Sequence, residues 1–380
     1  MSRINVMQPF LGAEEIAAVT QVLSSGWVAQ GPRVAAFEAA FAGHQEADHA
    51  VAVSSCTTAL HLSLIVSGVH AGDDVVVPSF SFIATANAPV YVGARPVFAD
   101  VDAVTGNVTA ESVAAALTSA TTAVIVVDQG GVPVDLDAIR ALCDPRGIVV
   151  IEDAACGAGS TYKGQPAGAR AEIAAWSFHP RKIITTGEGG MITTSRADWA
   201  DRARRLREHA MSVSAADRHA SVLAPPEQYL EVGYNYRMTD LQAAVGLVQL
   251  DRLDSVVGRR REIAACYAKA IGELRGLRMV ADPVWGTTNF QSCWVEVGPE
   301  YGRNRDGLLI ALAEADISAR RGIMAAHRQP AYASRDHGTV TLAVTEQLTD
   351  RTLILPLYQQ MSESDQARVI DVLRAGSRAD

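Results

Sequence analysis

Two short segments hold the side chains best suited to chemistry. The first is VVIED, residues 149–153, an apolar run that ends in two acids. In an open α/β sheet the carboxyl ends of the strands border the ligand crevice, so Asp153 would reach a bound molecule there. The second is WSFHPRKIITTGEGG, residues 176–190. Here Lys182 sits between an apolar Trp-Ser-Phe segment and a glycine-rich turn. Desolvation lowers the pKa of a lysine and frees its amine as a nucleophile, the property a Schiff-base lysine needs. Taken singly, Asp153 also reads as a helix cap and Lys182 as a surface lysine.

The elements around these segments follow an alternating pattern. Residues 50–54, 75–78, 97–100, 123–127, 148–152 and 191–194 are short apolar runs, predicted as buried parallel strands. Helix-like stretches at 57–68, 80–91, 110–119 and 135–143 lie between them. The alternation predicts an α/β domain with a mostly parallel central sheet over residues 12–248. A long amphipathic pattern over 239–273, opened by Thr239 as N-cap, predicts the helix leading onward. Its RRR cluster, 259–261, reads as a solvated face. Residues 249–380 then predict a smaller C-terminal α+β domain, with QSCWVEV as a strand, helices at 305–315 and 362–374, and residues 1–11 packing on it. Segment 212–230 contains Pro225–Pro226 and little periodicity, and reads as a loop.

An Asp at a strand end, a Ser and a Lys five residues apart, and then TTGEGG form a more specific set than any one member. With GWVAQGPRVAAFE (26–38), SSCTTALHL (54–62), VVVPSFSFIATAN (75–87), GARPVFADVD (93–102), IEDAACGAGSTYKG (151–164), GYNYRMTDLQAAVGLVQLDRL (233–253) and LPLYQQMS (355–362), the chain resembles the DegT/DnrJ/EryC1/StrS sugar aminotransferases. That family belongs to the fold-type I pyridoxal 5′-phosphate (PLP) enzymes, and the resemblance spans nearly the whole chain.

The resemblance implies roles for individual residues. Lys182 would hold PLP as a Schiff base and then move a proton. Asp153 would pair with the pyridinium nitrogen and keep the ring an electron acceptor. Phe82 would stack on the ring. Thr57 and Thr58, at a helix N-terminus, and Ser177 would bind the phosphate, joined by Asn235 from the neighbouring subunit of a homodimer with shared active sites. Cys56 and Cys156 depart from the pattern, which often has Gly at the first position and Gln or His at the second. Cys156 would lie beside the cofactor as a small apolar group. His327 and Arg328, in HRQPAY, are candidate substrate contacts. Arg237 reads as a carboxylate partner or as a structural ion pair.

The implied reaction is a two-step transamination from an amino acid, L-glutamate by resemblance, to a nucleotide-linked keto-deoxysugar. A keto-cyclitol acceptor and a non-catalytic, PLP-binding regulatory protein stay open as alternatives. The related sugar dehydratases carry His at the Schiff-base position, and Lys182 argues against them. A net charge of −9 argues against a nucleic-acid partner. No run reaches the roughly 18 apolar residues of a membrane span, and the first residues lack a signal peptide's apolar core, so a cytoplasmic protein is expected. Five cysteines without a CxxC pair predict neither a disulfide framework nor a metal site.

Overall fold

The structure is a computed structural model that describes residues 3–213, 226–333 and 341–377. Residues 214–225 of the expected 212–230 loop therefore lie outside the described residues. Five strands come first: β1 (His49–Val53), β2 (Asp74–Pro78), β3 (Arg95–Ala99), β4 (Thr121–Val127) and β5 (Val149–Asp153). A short hairpin, β6 (Thr161–Tyr162) and β7 (Gln165–Pro166), precedes β8 (Ile173–Ser177) and β9 (Gly190–Thr194). Seven of them form one sheet in the order β1-β9-β8-β5-β4-β2-β3. Only β9 runs against its neighbours β1 and β8; every other pairing is parallel. The β-branched runs of β2 and β4 are buried almost throughout, as layers on both faces of a sheet require. Strand β8 was not among the expected strands, because Ala-Ala-Trp-Ser dilutes the β-branched signal.

A second sheet, all antiparallel, has the order β10-β12-β14-β13. Its members are β10 (Leu277–Met279), β12 (Cys293–Val297), β13 (Arg320–Arg321) and β14 (Thr352–Leu355). Strand β11 (Gly286–Thr287) leaves this region to pair with β6, which ties it to the first. The N-terminal segment is tied to it as well. The amide of Ile4 donates to Asp316 O at 3.0 Å, and that of Leu357 to Val6 O at 3.1 Å.

The 239–273 pattern forms two helices, Asp240–Asp251 and Leu253–Gly272. Thr239 caps the first as expected: its hydroxyl accepts Gln242 N–H at 3.2 Å, and Gln242 Oε1 accepts Thr239 N–H at 2.9 Å. The break falls at Arg252, whose guanidinium turns to Glu14 at 2.6 Å and Glu15 at 2.9 Å. The reading of residues 259–261 as a solvated face fails at Arg260, which is buried. Arg260 donates to the carbonyls of Leu357 (3.0 Å), Phe290 (2.6 Å) and Gln291 (3.1 Å). Burial lowers its pKa to about 10, still charged at neutral pH. A buried cation is tolerable here because three carbonyl dipoles replace its water.

A second buried group joins β4 to β5. Asp128 follows β4, Glu152 lies within β5, and both are buried. Asp128 Oδ1 accepts Val134 N–H at 3.1 Å, and Glu152 Oε1 accepts Gly168 N–H at 3.0 Å. The remaining oxygens have no other partner, and the two carboxyls hydrogen-bond to each other. Like charges this close do not both ionise, so the pair retains a proton. Burial pushes Glu152 up to about 7, against the hydrogen bond from Asp128. Burial, and then the Glu152 charge, push Asp128 well above the ordinary range.

Two outcomes follow from these groups. Arg260→Met strands three buried carbonyls and is expected to destabilise the fold by about 3 kcal/mol in urea unfolding. The carboxyl pair binds protons in the folded state that the unfolded chain has released. Its stabilisation is therefore complete below the ordinary carboxyl range and lost as pH rises through about 7. Melting temperature is expected to fall across that window, and Glu152→Gln to flatten the fall.

Candidate active site

The carboxyl ends of β4, β5 and β8 open into a cavity of about 620 Å³. Asp153, the last residue of β5, forms part of its floor and is only 4% exposed. Three donors surround that carboxylate. Thr85 Oγ1 donates to Oδ2 at 2.9 Å, Ala155 N–H to Oδ1 at 3.2 Å, and the Cys56 thiol lies 3.8 Å from Oδ1. Burial raises the Asp153 pKa, while Thr85 and the nearby Lys182 ammonium oppose that rise. Burial and the Asp153 charge raise the Cys56 pKa well above its ordinary value, so Cys56 stays a neutral thiol.

Lys182 approaches from the loop between β8 and β9. The loop holds itself in place through Lys182 N–H to His179 O (2.8 Å), Thr186 N–H to Phe178 O (3.0 Å) and Thr185 Oγ1 to Phe178 O (2.9 Å). Lys182 Nζ donates to Cys156 Sγ at 3.2 Å. The sequence suggested a lowered amine pKa. Burial does push it down, but Cys156, Cys56 and Asp153 outweigh that, and the net direction is up.

The third side of the cavity is a helix N-terminus. Ser55 caps helix Cys56–Val66, with Oγ accepting Thr58 N–H at 3.2 Å. Thr58 Oγ1 returns the contact by accepting Ser55 N–H at 3.1 Å and donating to Ser55 O at 2.8 Å. The Thr58 hydroxyl is thus committed to the cap and Thr58 does not line the cavity, whereas Ser55, Cys56, Thr57 and Ser177 do. Gly190, at the start of β9, crosses directly behind this cap. A Cβ there would lie 2.4 Å from the Ser55 carbonyl carbon, so only glycine permits the approach.

Phe82 also lines the cavity and is 66% exposed, a large ring with little cover from its own chain. Asn235 is exposed, lies outside the cavity lining, and makes no side-chain hydrogen bond among the described residues. His327, Arg328 and Arg237 do not line the cavity either. His327 Nδ1 lies 2.6 Å from Ser79 Oγ and Nε2 lies 3.3 Å from Glu346. Arg328 pairs with Glu346 at 2.6 Å and Asp350 at 3.1 Å, and Arg237 with Glu208 at 3.8 Å. Among the described residues no cluster of His, Cys, Asp and Glu suits a metal ion, and no helix is long and apolar enough to cross a membrane.

Sequence reasoning missed several lining residues. Thr85 had a readable signal: it stands three residues after Phe82 at a helix start and so shares its face. Gln129 comes directly after Asp128, an acid just beyond the end of β4, a position comparable to the acid that closes β5. Arg181, Gln291 and Arg320 had no local signal: Gln291 and Arg320 belong to the second sheet region, and nothing in sequence separates Arg181 from an ordinary exposed arginine.

The donor set suits PLP. A buried carboxylate, which would pair with a ring nitrogen, shares the cavity with a primary amine. The amides of Cys56 and Thr57, with the hydroxyls of Thr57 and Ser177, offer an anion site at a helix N-terminus.

Comparison with known proteins gives the same answer. The chain matches the DegT/DnrJ/EryC1/StrS aminotransferase family over residues 9–374. It is 39% identical to the aminotransferase TlmJ from Streptoalloteichus hindustanus, covering 98% of each chain, with a TM-score of 0.90. It is 29% identical to the sugar aminotransferase CalS13 from Micromonospora echinospora, covering 98% of this chain and 100% of that one, with a TM-score of 0.89. The PLP form of Spr1654 from Streptococcus pneumoniae is 26% identical, over 99% of this chain and 98% of that one, with a TM-score of 0.91. The chain therefore belongs to the DegT/DnrJ/EryC1/StrS aminotransferase family, whose members are PLP-dependent aminotransferases.

Proposed function

We propose that this aminotransferase moves an amino group from L-glutamate to a nucleotide-linked keto-deoxysugar, in a homodimer with two shared sites. The observation that carries the reading is the meeting of Lys182 and the buried Asp153 in one cavity at the sheet's carboxyl end. The sugar acceptor is supported by the likeness to a sugar aminotransferase. An anionic substrate is supported by Arg181 and Arg320. Both line the cavity, and neither has an acidic partner among the described residues. A guanidinium there suits the carboxylates of glutamate and the phosphates of a nucleotide.

When bound, PLP supplies a carbonyl that carries the amino group and a ring that accepts electrons. Lys182 Nζ would hold PLP through that carbonyl and, once free, would take the proton from the donor's Cα. The Asp153 carboxylate holds a proton on the ring nitrogen. Thr85 and Ala155 N–H keep that carboxylate ionised and aimed, since both bond to its charged form. Thr57 and Ser177 bind the phosphate, while Thr58, whose hydroxyl and backbone N–H both serve the Ser55 cap, holds the helix N-terminus beneath it. Phe82 covers one ring face. Cys156 packs beside Lys182 and accepts from its Nζ. Asn235 serves the site of the opposite chain. Its exposure supports this, as do the exposed apolar residues Tyr229, Leu230 and Val232 just before it, which suit a subunit interface. Arg237 pairs with Glu208 as a structural ion pair, while His327 and Arg328 remain candidates for acceptor contact.

The acceptor is tested by a half-reaction screen. Glutamate is used to form the pyridoxamine enzyme, which is then mixed with nucleotide keto-sugars and keto-cyclitols while the absorbance of the starting form is followed. Fast return with a keto-cyclitol and none with the nucleotide sugars overturns the nucleotide-linked acceptor. Lys182→Ala is expected to lose at least about 100-fold in turnover, the lower bound for removing a positioned proton-transfer group. Borohydride reduction of the native enzyme should leave the cofactor on the peptide containing Lys182.

The shared site is tested by mixing Lys182→Ala with Asn235→Ala chains. One site of the heterodimer then carries both lesions and the other neither, so activity is expected to return in part. Absence of recovery in a demonstrated heterodimer, or a monomer by light scattering, counts against it.

A further inference from the structure

The segment that presents Asn235 is clamped between two parts of the large domain. On one side Ser54 N–H, just after β1, donates to Tyr236 O at 2.8 Å. On the other side lie the end of helix Ala197–Leu206 and the turn that follows it. Tyr234 N–H donates to Leu206 O at 2.7 Å, Tyr236 N–H to Arg207 O at 2.9 Å, and His209 N–H to Tyr234 O at 2.8 Å. Asn235 thereby bridges Glu208 in antiparallel register. Gly233 permits the approach, since a Cβ there would lie 2.2 Å from the His209 carbonyl carbon. In such an extended, paired segment alternate side chains take opposite sides.

Tyr234 and Tyr236 share one side. Their rings stack with centroids 4.9 Å apart and planes 10° from parallel. His61, on helix Cys56–Val66, closes the edge of that stack. Its ring meets Tyr234 edge-on at 5.0 Å and Tyr236 at 5.9 Å, and its Nδ1 lies 3.1 Å from Tyr236 Oη. Tyr91 flanks the same imidazole at 5.8 Å. Edge-to-face contacts of this kind add to what burial alone contributes, and His61 is only 6% exposed. The side left to Asn235 is the exposed one. Neither His61 nor any of the three tyrosines lines the cavity. The cluster therefore grips the residues on either side of Asn235 and has no direct part in its own chain's site.

We propose that His61 is a positioning residue for the active site of the opposite chain: through the Tyr234–Tyr236 stack it holds Asn235 outward, toward the phosphate bound by the partner. The inference rests on the shared-site reading above and adds the residue that stiffens the Asn235 arm. One helix then serves two sites. Its N-terminus, at Cys56 and Thr57, faces the phosphate of its own chain, and about one turn further on His61 braces the arm that reaches the other.

The test uses the full-length, PLP-loaded enzyme with His61→Leu, which keeps an apolar side chain in the cluster, and Tyr236→Phe, which removes only the hydroxyl. The readout is the rate of PLP loss on dilution, followed as cofactor that borohydride fixes on Lys182. In each variant homodimer that rate is expected to rise roughly 2- to 10-fold, the equivalent of one hydrogen bond. Heterodimers with a Lys182→Ala lesion then leave a single site that can fix PLP. Where His61→Leu shares a chain with the remaining Lys182, that site takes Asn235 from the Lys182→Ala partner, and PLP loss is expected to match wild type. Where His61→Leu and Lys182→Ala occupy one chain, paired with a wild-type chain, the site is expected to show the full defect. The reverse pattern, or a defect in both arrangements, marks a histidine that acts within its own chain and overturns the inference. Unchanged PLP loss in both variant homodimers overturns it too. Asn235→Ala in the same two arrangements is the control. If its defect does not cross to the partner's site, the shared-site reading fails and this inference with it. If that defect crosses and those of His61→Leu and Tyr236→Phe do not, the inference alone fails. Should His61→Leu not fold, Tyr236→Phe in the two arrangements decides by the same pattern.

Discussion

A buried carboxyl group at the floor of a largely apolar cavity is the constraint around which the site is arranged. Removed from water, Asp153 stays charged only if fixed dipoles and a cation replace its hydration. Thr85, the Ala155 amide and the Cys56 thiol supply the dipoles, and Lys182 supplies the cation. Each comes from a different segment, so the parallel sheet and its flanking helices must converge on one point before the charge is stable. The position of Asp153 at a strand end follows from that requirement. Only there does a side chain escape the packed layers and still remain out of solvent.

The carboxyl pair behind it shows the opposite treatment of the same chemistry. Asp128 and Glu152 have no cation among the described residues and one backbone donor each, so the cheaper solution is to keep a proton. Asp153 and Glu152 are adjacent in sequence and project to opposite faces of β5. One strand therefore carries two carboxyls that burial pushes up, one opposed by Thr85 and Lys182 and the other opposed by Asp128 and the Gly168 amide. The distinction comes wholly from what each face provides.

Much of this was readable in the sequence because it is local. Strand periodicity located β1 to β5 and β9. The acid ending VVIED and the lysine ahead of TTGEGG marked the two groups that meet in the cavity, and the Thr239 cap was legible from its Gln three residues on. What was not legible depended on partners far along the chain. The burial of Arg260 is decided by carbonyls at 290, 291 and 357, so a run of three arginines looked like an exposed face. The break at Arg252 is decided by Glu14 and Glu15, over two hundred residues away. The amine of Lys182 was expected to be shifted by apolar neighbours in sequence, but its neighbours in space are two thiols and a carboxylate. Gln129 and Gln291 are brought to one cavity from segments far apart in the chain.

The N-terminal segment has a practical side. Val6, Met7 and Pro9 line the cavity, and the residues before them are laced to the second sheet region through Ile4 and Val6. The stretch is thus part of the cavity wall and is held there by backbone bonds at Ile4 and Val6. Fusion partners placed ahead of Ile4 would load that wall directly. The closing helix Glu363–Ser377 supplies no lining residue, and handles placed beyond it leave the site's architecture alone. Choice of terminus in preparing this enzyme is thus a choice about whether one wall of its cavity carries a load.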